Sequence, residues 1–240
     1  QLSIQILKQT VEAKTRKLSA RWTFEAAQDA NSQHGIDVEA EVMAALAQEI
    51  TAEIDQEIIA SLLALAGTSD TYDQPNVSGA GAVFVGDEHA ALAVLINKAA
   101  NQIAARTRRG AGNWAVVSPI SLTILQSATT SAFARTTEGT FEAPTNTKFV
   151  GTLNGTMRVY ANQYAADNAH VLVGYKGSGE MDAAAFYCPY VPLMSSGVVL
   201  DPQSFEPVVS FMTRYGYVEL TNTASSLGNA ADYLNQIDMS

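Results

Sequence analysis

"VEAEVMAALAQEITAEIDQEIIASLL", residues 38–63, carries Val38, Val42, Leu46, Ile50, Ile54, Ile58 and Leu62 at a constant spacing of four. That period predicts a helix, and at 1.5 Å per residue its length is roughly 39 Å. Four residues advance about 400°, so the apolar stripe drifts by about 40° per step and winds around the helix. Met43, Ile59 and Leu63 widen the stripe. A helix with such a surface touches neighbours on several sides in turn. It is expected to be unbroken and to act as a backbone of the fold.

The flanking segments follow from this helix. Asp37 has the side chain to cap its N-terminus. Upstream, "KLSARWTFEAAQDANSQ" (17–33) reads as a helix stopped at His34-Gly35, and "LSIQILKQTV" (2–11) as a strand. Downstream, "GTSDTYDQPNVSGAG" (67–81) reads as a linker and "AVFV" (82–85) as a short strand. Residues 86–110 form a second long helix, acidic at its start (Asp87, Glu88), basic at its end (Arg106, Arg108, Arg109) and stopped by Gly110. "NWAVVSP" (113–119) is a buried strand, and "ISLTILQSA" (120–128) a short helix begun behind Pro119. Residues 134–155 look loop-like. Strands are expected in 157–164, 170–177, 183–193 and 205–220, ahead of a polar tail over the last twenty residues. Helices come first and strands later, which makes the chain α+β.

Composition narrows the function. The chain has 240 residues, 47% of them hydrophobic and 16% charged, enough for a real core. Its formal net charge of −10 argues against sequence-specific nucleic-acid binding, which needs a basic face. One cysteine makes no internal disulfide, and the longest apolar run, 58–66, is far too short to cross a bilayer. Charge is sorted along the chain: no lysine or arginine lies between Arg21 and Lys98, while thirteen acidic residues do. Lys14, Arg16, Lys17 and Arg21 precede that gap, and Arg106, Arg108 and Arg109 follow it. Such faces are either simply solvated or meet one another between neighbouring copies, where complementary charge sets register.

No catalytic constellation emerges. Lys176 precedes Gly177 and Gly179, the reverse of the order in a phosphate-cradling Walker loop. Cys188 sits in an apolar strand with no histidine or cation expected nearby, so a quiet structural thiol is expected. His34, His89 and His170 have no metal-ligand spacing, and Asp87-Glu88-His89 is the ordinary acidic start of a helix. No G-x-S-x-G elbow occurs. Trp22, Phe24 and Trp114 fit core positions better than a ligand platform.

Long strings of the chain resemble one family. "AKTRKLSARWTFEAAQDANSQHGIDVEAEVMAALAQEITAEIDQEII" (13–59), "ARTRRGAGNWAVVSP" (105–119), "GTLNGTMRVYANQYA" (151–165), "VGYKGSGEMDAAAFYCPYVPL" (173–193) and "DPQSFEPVVSFMTRYG" (201–216) are similar, in order, to the major capsid proteins of T-even-type tailed phages. Ala184 stands where that family leads one to expect glycine, and "TTEGTFEAPTNT" (136–147) departs from it. The resemblance implies an α+β fold of the Hong Kong 97 capsid type. Its long spine helix corresponds to 38–63. The peripheral domain would comprise 1–85 with that helix, together with the return strands and tail of 188–240; the axial domain would comprise 86–187. The family carries an N-terminal arm, an extended loop and an inserted domain before the spine, which implies that this chain is the C-terminal part of a longer protein.

The implied function is structural. The chain would be a shell subunit, not an enzyme and without cofactor or metal. It would form homo-oligomeric capsomers, hexamers among them, in an icosahedral or prolate capsid. Vertex and decoration proteins would be partners, and packaged DNA would be met only non-specifically on the inner face, with no membrane involved. Assembly would occur in the host cytoplasm and the product would be the virion. An encapsulin-like cellular compartment and a soluble enzyme are the alternatives. Lys14, Arg16, Lys17, Arg106, Arg108 and Arg109 are the candidate subunit-interface residues.

Overall fold

The computed structural model describes residues 8–73, 85–127, 133–135, 147–166, 168–220 and 229–239. In chain order the elements are β1 (Ala13–Arg21), α1 (Phe24–His34), α2 (Val38–Leu65), β2 (Gly67–Tyr72), α3 (Val85–Thr107), β3 (Trp114–Val117) and α4 (Pro119–Ser127). There follow β4 (Phe133–Arg135), β5 (Thr147–Leu153), β6 (Met157–Asn162), β7 (Val171–Gly174), β8 (Ala185–Leu200), β9 (Pro207–Glu219), a short 3₁₀ helix (Ala230–Tyr233) and β10 (Leu234–Met239). They fall into two compact units, one of residues 10–55 and 187–218, the other of 1–9, 56–186 and 219–240.

The first unit holds a three-stranded sheet in the order β1-β9-β8. β1 pairs antiparallel with β9, placing Lys17 opposite Met212 and Leu18 opposite Phe211. Val209, Phe211, Thr213 and Tyr215 alternate on the buried face of β9. Arg16 lies on the same face by register, opposite Thr213, and its Nη1 donates to Glu53 Oε2 of α2 at 2.6 Å. Leu46, Ile50, Ala52 and Ile54 are the buried residues of α2, so the winding stripe is used. The helix runs unbroken over 28 residues, as its period requires. Glu39 N–H donates to Asp37 Oδ1 at 3.2 Å, the cap expected there.

The helix expected over 17–33 begins late. Residues 17–21 continue β1, and Thr23 caps α1 by accepting from Ala26 N–H at 3.2 Å. Pairing with β9 outweighs local helix propensity in that stretch. α1 stops at Gly35, which has φ 65 as foreseen, but it buries nothing, and Phe24 is exposed, not core.

The second unit is built on a seven-stranded sheet, β2-β10-β7-β3-β6-β5-β4. β10 runs parallel to β2 and β3 parallel to β6; the other four pairings of this sheet are antiparallel. α3 covers β2, β10 and β7 and packs on α4. Leu92, Ile96 and Ile103 of α3 are fully buried among Ala115, Val117, Val159, Val173 and Ile237, each large side chain contributing about 1.5–3 kcal/mol. The opposite face carries Leu172 and Leu234 against Ala66 and Tyr233, with Leu62, Leu63 and Leu65 of α2 beside them. β7 is therefore buried at every position.

Four expectations change in this unit. The proposed linker starts as a strand: 67–72 pairs with β10, while 74–81 and most of 82–85 lie outside the described residues. The loop-like stretch contains β4 and β5, because Asn154 and Gly155, with φ 53 and 71, turn β5 into β6 as a hairpin. α3 ends at Thr107, before Gly110, with Arg108 in the left-handed region at φ 53. The last twenty residues are not all a tail. Leu234 and Ile237 are fully buried, and β10 sits between β2 and β7. The expected N-terminal strand falls on residues 1–7, outside the described ones, and on 8–11, which have no regular structure.

Candidate assembly surface

β8 is an edge strand of the three-stranded sheet, and its side chains are unusual. Tyr187, Tyr190, Leu193, Met194, Val198, Val199 and Leu200 are all exposed. From Pro192 onward every residue of the strand is exposed, so neither face is covered. An apolar run of this size on a folded chain marks an interaction surface. The edge itself is poor at accepting another strand. Pro189 and Pro192 lack the N–H that a ladder needs, and Gly197 takes φ 69 inside the strand. Ser195 Oγ accepts from Gly197 N–H at 3.1 Å, which holds that kink. The surface is therefore suited to side-chain contacts. Tyr187 packs on Tyr215 with ring centroids 5.5 Å apart, and Arg214 lies 5.6 Å over the ring of Tyr190.

The six basic candidates divide sharply. Arg16 is partly buried and paired with Glu53, while Lys17, one residue on, points to the opposite face of β1. Arg106 turns inward: its Nη2 donates to Leu234 O at 3.2 Å and to Asn235 Oδ1. Arg109 forms an ion pair with Asp182. Lys14, Lys17 and Arg108 are exposed and have no ion pair among the described residues. Strand parity separates Lys17 from Arg16, whereas Lys14 shares the parity of Arg16 and lies exposed nearer the start of β1; neither this nor the left-handed end of α3 is visible from a run of basic letters.

Gly177 N–H donates to Asp182 O at 2.9 Å and Lys176 N–H to Asn113 Oδ1 at 3.0 Å, so these amides are engaged in a turn. A Cβ on Gly177 would meet Asp182 Cβ at 2.7 Å, which is why the turn needs glycine there. Cys188 is a free thiol, half-buried in β8 and not fully enclosed. His170 Nδ1 lies 3.1 Å from Asp238. Among the described residues no group of three His, Cys, Asp or Glu could hold a metal. No helix is long and apolar enough to cross a membrane.

Two acidic groups are perturbed near this surface. Burial pushes the Asp55 carboxyl up, and burial together with the Asp55 charge pushes the Tyr187 phenol up. At the β8–β9 turn, the Gln203 amide and then the Ser204 hydroxyl hold Asp201 below the usual carboxylate range. That turn ends in Phe205, 72% exposed and at φ 54. Sequence reasoning named neither Phe205 nor the outer run of β8. The adjacent apolar letters Leu193-Met194 and Val198-Val199-Leu200, which lack strand alternation, and the D-P-x-S turn were the available signals.

The major capsid protein of Vibrio phage KVP40 is 37% identical over 96% of this chain and 49% of its own length. That of Enterobacteria phage T4 is 38% identical over 90% of this chain and 44% of its own. The chain thus spans about half the length of these curated relatives. Among solved structures, the mature capsid of bacteriophage PhiM1 aligns with a TM-score of 0.55 at 14% identity, covering 100% of this chain and 76% of the other. A Mycobacterium phage Che8 chain gives 0.58 at 16%, over 93% and 70%. The SrpI encapsulin of Synechococcus elongatus gives 0.51 at 12%, over 95% and 73%, which is likeness of fold alone. The α+β, Hong Kong 97-type fold read from the sequence is borne out. The family model of the major capsid protein Gp23 matches residues 1–239, and the chain belongs to that family.

Proposed function

We propose that this chain is the part of a capsid shell subunit that builds capsomers, hexamers among them, in the virion of a tailed phage. The match of residues 1–239 to the capsid protein family carries this reading. It is supported by the exposed apolar run of β8, which a protein working as a monomer would have reason to cover. In this reading α2 is the spine, 1–85 and 188–240 belong to the peripheral domain, and 86–187 form the axial domain. Of the six candidates, Lys14, Lys17 and Arg108, without an ion pair among the described residues, would meet carboxylates of a neighbour; Arg16, Arg106 and Arg109 act within their own subunit. Vertex and decoration proteins complete the shell. Packaged DNA is touched only non-specifically, in keeping with the net charge of −10. Assembly takes place in the host cytoplasm.

The test is assembly of the full-length protein, followed by sedimentation and negative-stain microscopy. Shells, tubes or rings of capsomers are expected. A protein that remains a small defined oligomer at all concentrations would overturn the reading.

A further inference from the structure

The turn 201–206 between β8 and β9 is pinned more firmly than a connecting loop requires. Asp201 accepts at Oδ1 from Gln203 N–H at 3.1 Å and at Oδ2 from the Ser204 hydroxyl at 3.1 Å. Its carbonyl accepts from Phe205 N–H at 2.8 Å, and its N–H donates to Glu206 O at 3.0 Å. At the end of this clamp stands Phe205, in the left-handed backbone region at φ 54 with its ring 72% exposed. Folding alone would favour glycine or asparagine there, since a bulky side chain is strained in that conformation. Most of the residue gains no burial inside its own subunit. Strain held in place to present an aromatic to solvent points to a contact outside the chain.

The same sheet offers a place for such a ring. A groove of about 500 Å³ lies where Lys17 and Ser19 of β1, Met194 of β8, and Ser210 and Met212 of β9 come together. Methionines are adaptable and pack well against aromatic rings. Lys17 brings an exposed ammonium without an ion pair among the described residues. The tip has the complementary sign: the turn holds Asp201 below the usual carboxylate range, and among the described residues Glu206 has one ion pair, with Arg21 at 3.9 Å. The groove and the tip lie on one hairpin, Met212 seven residues beyond Phe205 or roughly 24 Å along the strand, so a subunit cannot fill its own groove.

We infer that the acidic, aromatic tip of one copy, Phe205 flanked by Asp201 and Glu206, docks in the Lys17-rimmed groove of a second copy. The contact rests on the shell-subunit reading above. It joins two different patches, so it is head-to-tail and propagates into rings or lattices, as a shell needs. Lys17 either lies over the incoming ring or pairs with its flanking carboxylates.

The experiment compares full-length wild-type protein with Phe205→Gly and Lys17→Glu. Glycine removes the ring and relieves the left-handed strain together. The unassembled Phe205→Gly subunit should therefore melt at the wild-type temperature or above it, yet yield at least tenfold fewer assembled particles. Lys17→Glu should lose assembly to a similar extent. In a Cys188→Ser background that keeps the Phe205 ring, Gln203→Cys and Ser210→Cys proteins mixed before assembly should form a disulfide between copies under mild oxidation. Normal assembly of Phe205→Gly, or assembled mixed particles without that disulfide, would overturn the tip contact and leave the shell reading standing. Wild-type protein that fails to assemble would overturn both.

Discussion

The Arg106 guanidinium donates to the side-chain carbonyl of Asn235, tying the last turn of α3 to the start of β10. Asn235, buried at 2% exposure, passes its own amide hydrogens to Ala99 O at 3.0 Å and Gln102 Oε1 at 3.3 Å. Arg106→Ala would leave Asn235 Oδ1 buried without its donor and remove a hydrogen bond from the Leu234 carbonyl. An unsatisfied buried acceptor costs about 1–3 kcal/mol. Denaturant unfolding of the unassembled subunit should show a lower midpoint with an unchanged slope. A variant of wild-type stability that fails only in assembly would return Arg106 to the subunit interface.

Ile54 provides the test of α2. It is buried at 9% exposure, third in the series Leu46, Ile50, Ile54 that the winding stripe brings inward. Ile54→Asp places an unpaired charge in that packing, and a loss of several kcal/mol is expected. The measurable result is a subunit that is insoluble or melts far below wild type. Ile54→Val, which removes one methylene, should cost only about 0.5–1.5 kcal/mol.

The difference between these two sites explains what the sequence made legible. Ile54 belongs to a periodic series whose burial follows from helix geometry alone. Asp37 and Gly35 were readable for the same reason, since capping is local chemistry. β10 was not, because its burial depends on partners about 60 and 170 residues away. Its polar neighbours disguise Leu234 and Ile237, and Asn235 is tolerable inside only because Arg106 and Gln102 await it. β1 was misread in part because pairing with β9 decides it. Among the basic residues, the strand parity that turns Arg16 inward and Lys17 outward was unknowable until β1 was known to be a strand.

Arg108 separates stability from assembly. Its φ of 53 costs an L-residue roughly 1–2 kcal/mol, a cost glycine does not bear. Arg108→Gly should therefore raise the melting temperature of the unassembled subunit. If Arg108 meets a carboxylate of a neighbouring copy, the same variant should assemble less well, and the deficit should shrink at high salt, where wild-type pairing is screened as well. Arg108→Glu should lower assembly further. Light scattering through the assembly reaction distinguishes these outcomes, and a stabilised variant that assembles at the wild-type rate leaves Arg108 outside the interface. Arg109 is a poorer choice for this test because reversing it also breaks the pair with Asp182.

Asp55 gives a pH prediction with a definite sign. Burial raises its carboxyl above the ordinary value of 3.8, so the folded state binds this proton more tightly than the unfolded chain does. Between the two values the native protein holds more protons, and stability falls as pH rises. Above the folded value the loss is complete, so at neutral pH the charged Asp55 works against folding. Asp55→Asn keeps the shape and removes the charge. At pH 7 it should stabilise the subunit, by on the order of 0.5 kcal/mol because the carboxyl is only half-buried and partly screened. The advantage should vanish as pH falls below about 3.8, where wild-type Asp55 is neutral in both states. The Tyr187 phenol should also titrate at lower pH in the variant, since the Asp55 charge is one of the two causes raising it. Thermal melts across pH, with absorbance titration of the tyrosines, read both effects. An Asp55→Asn subunit less stable than wild type at pH 7 would mean that the carboxylate has a favourable partner in the folded chain.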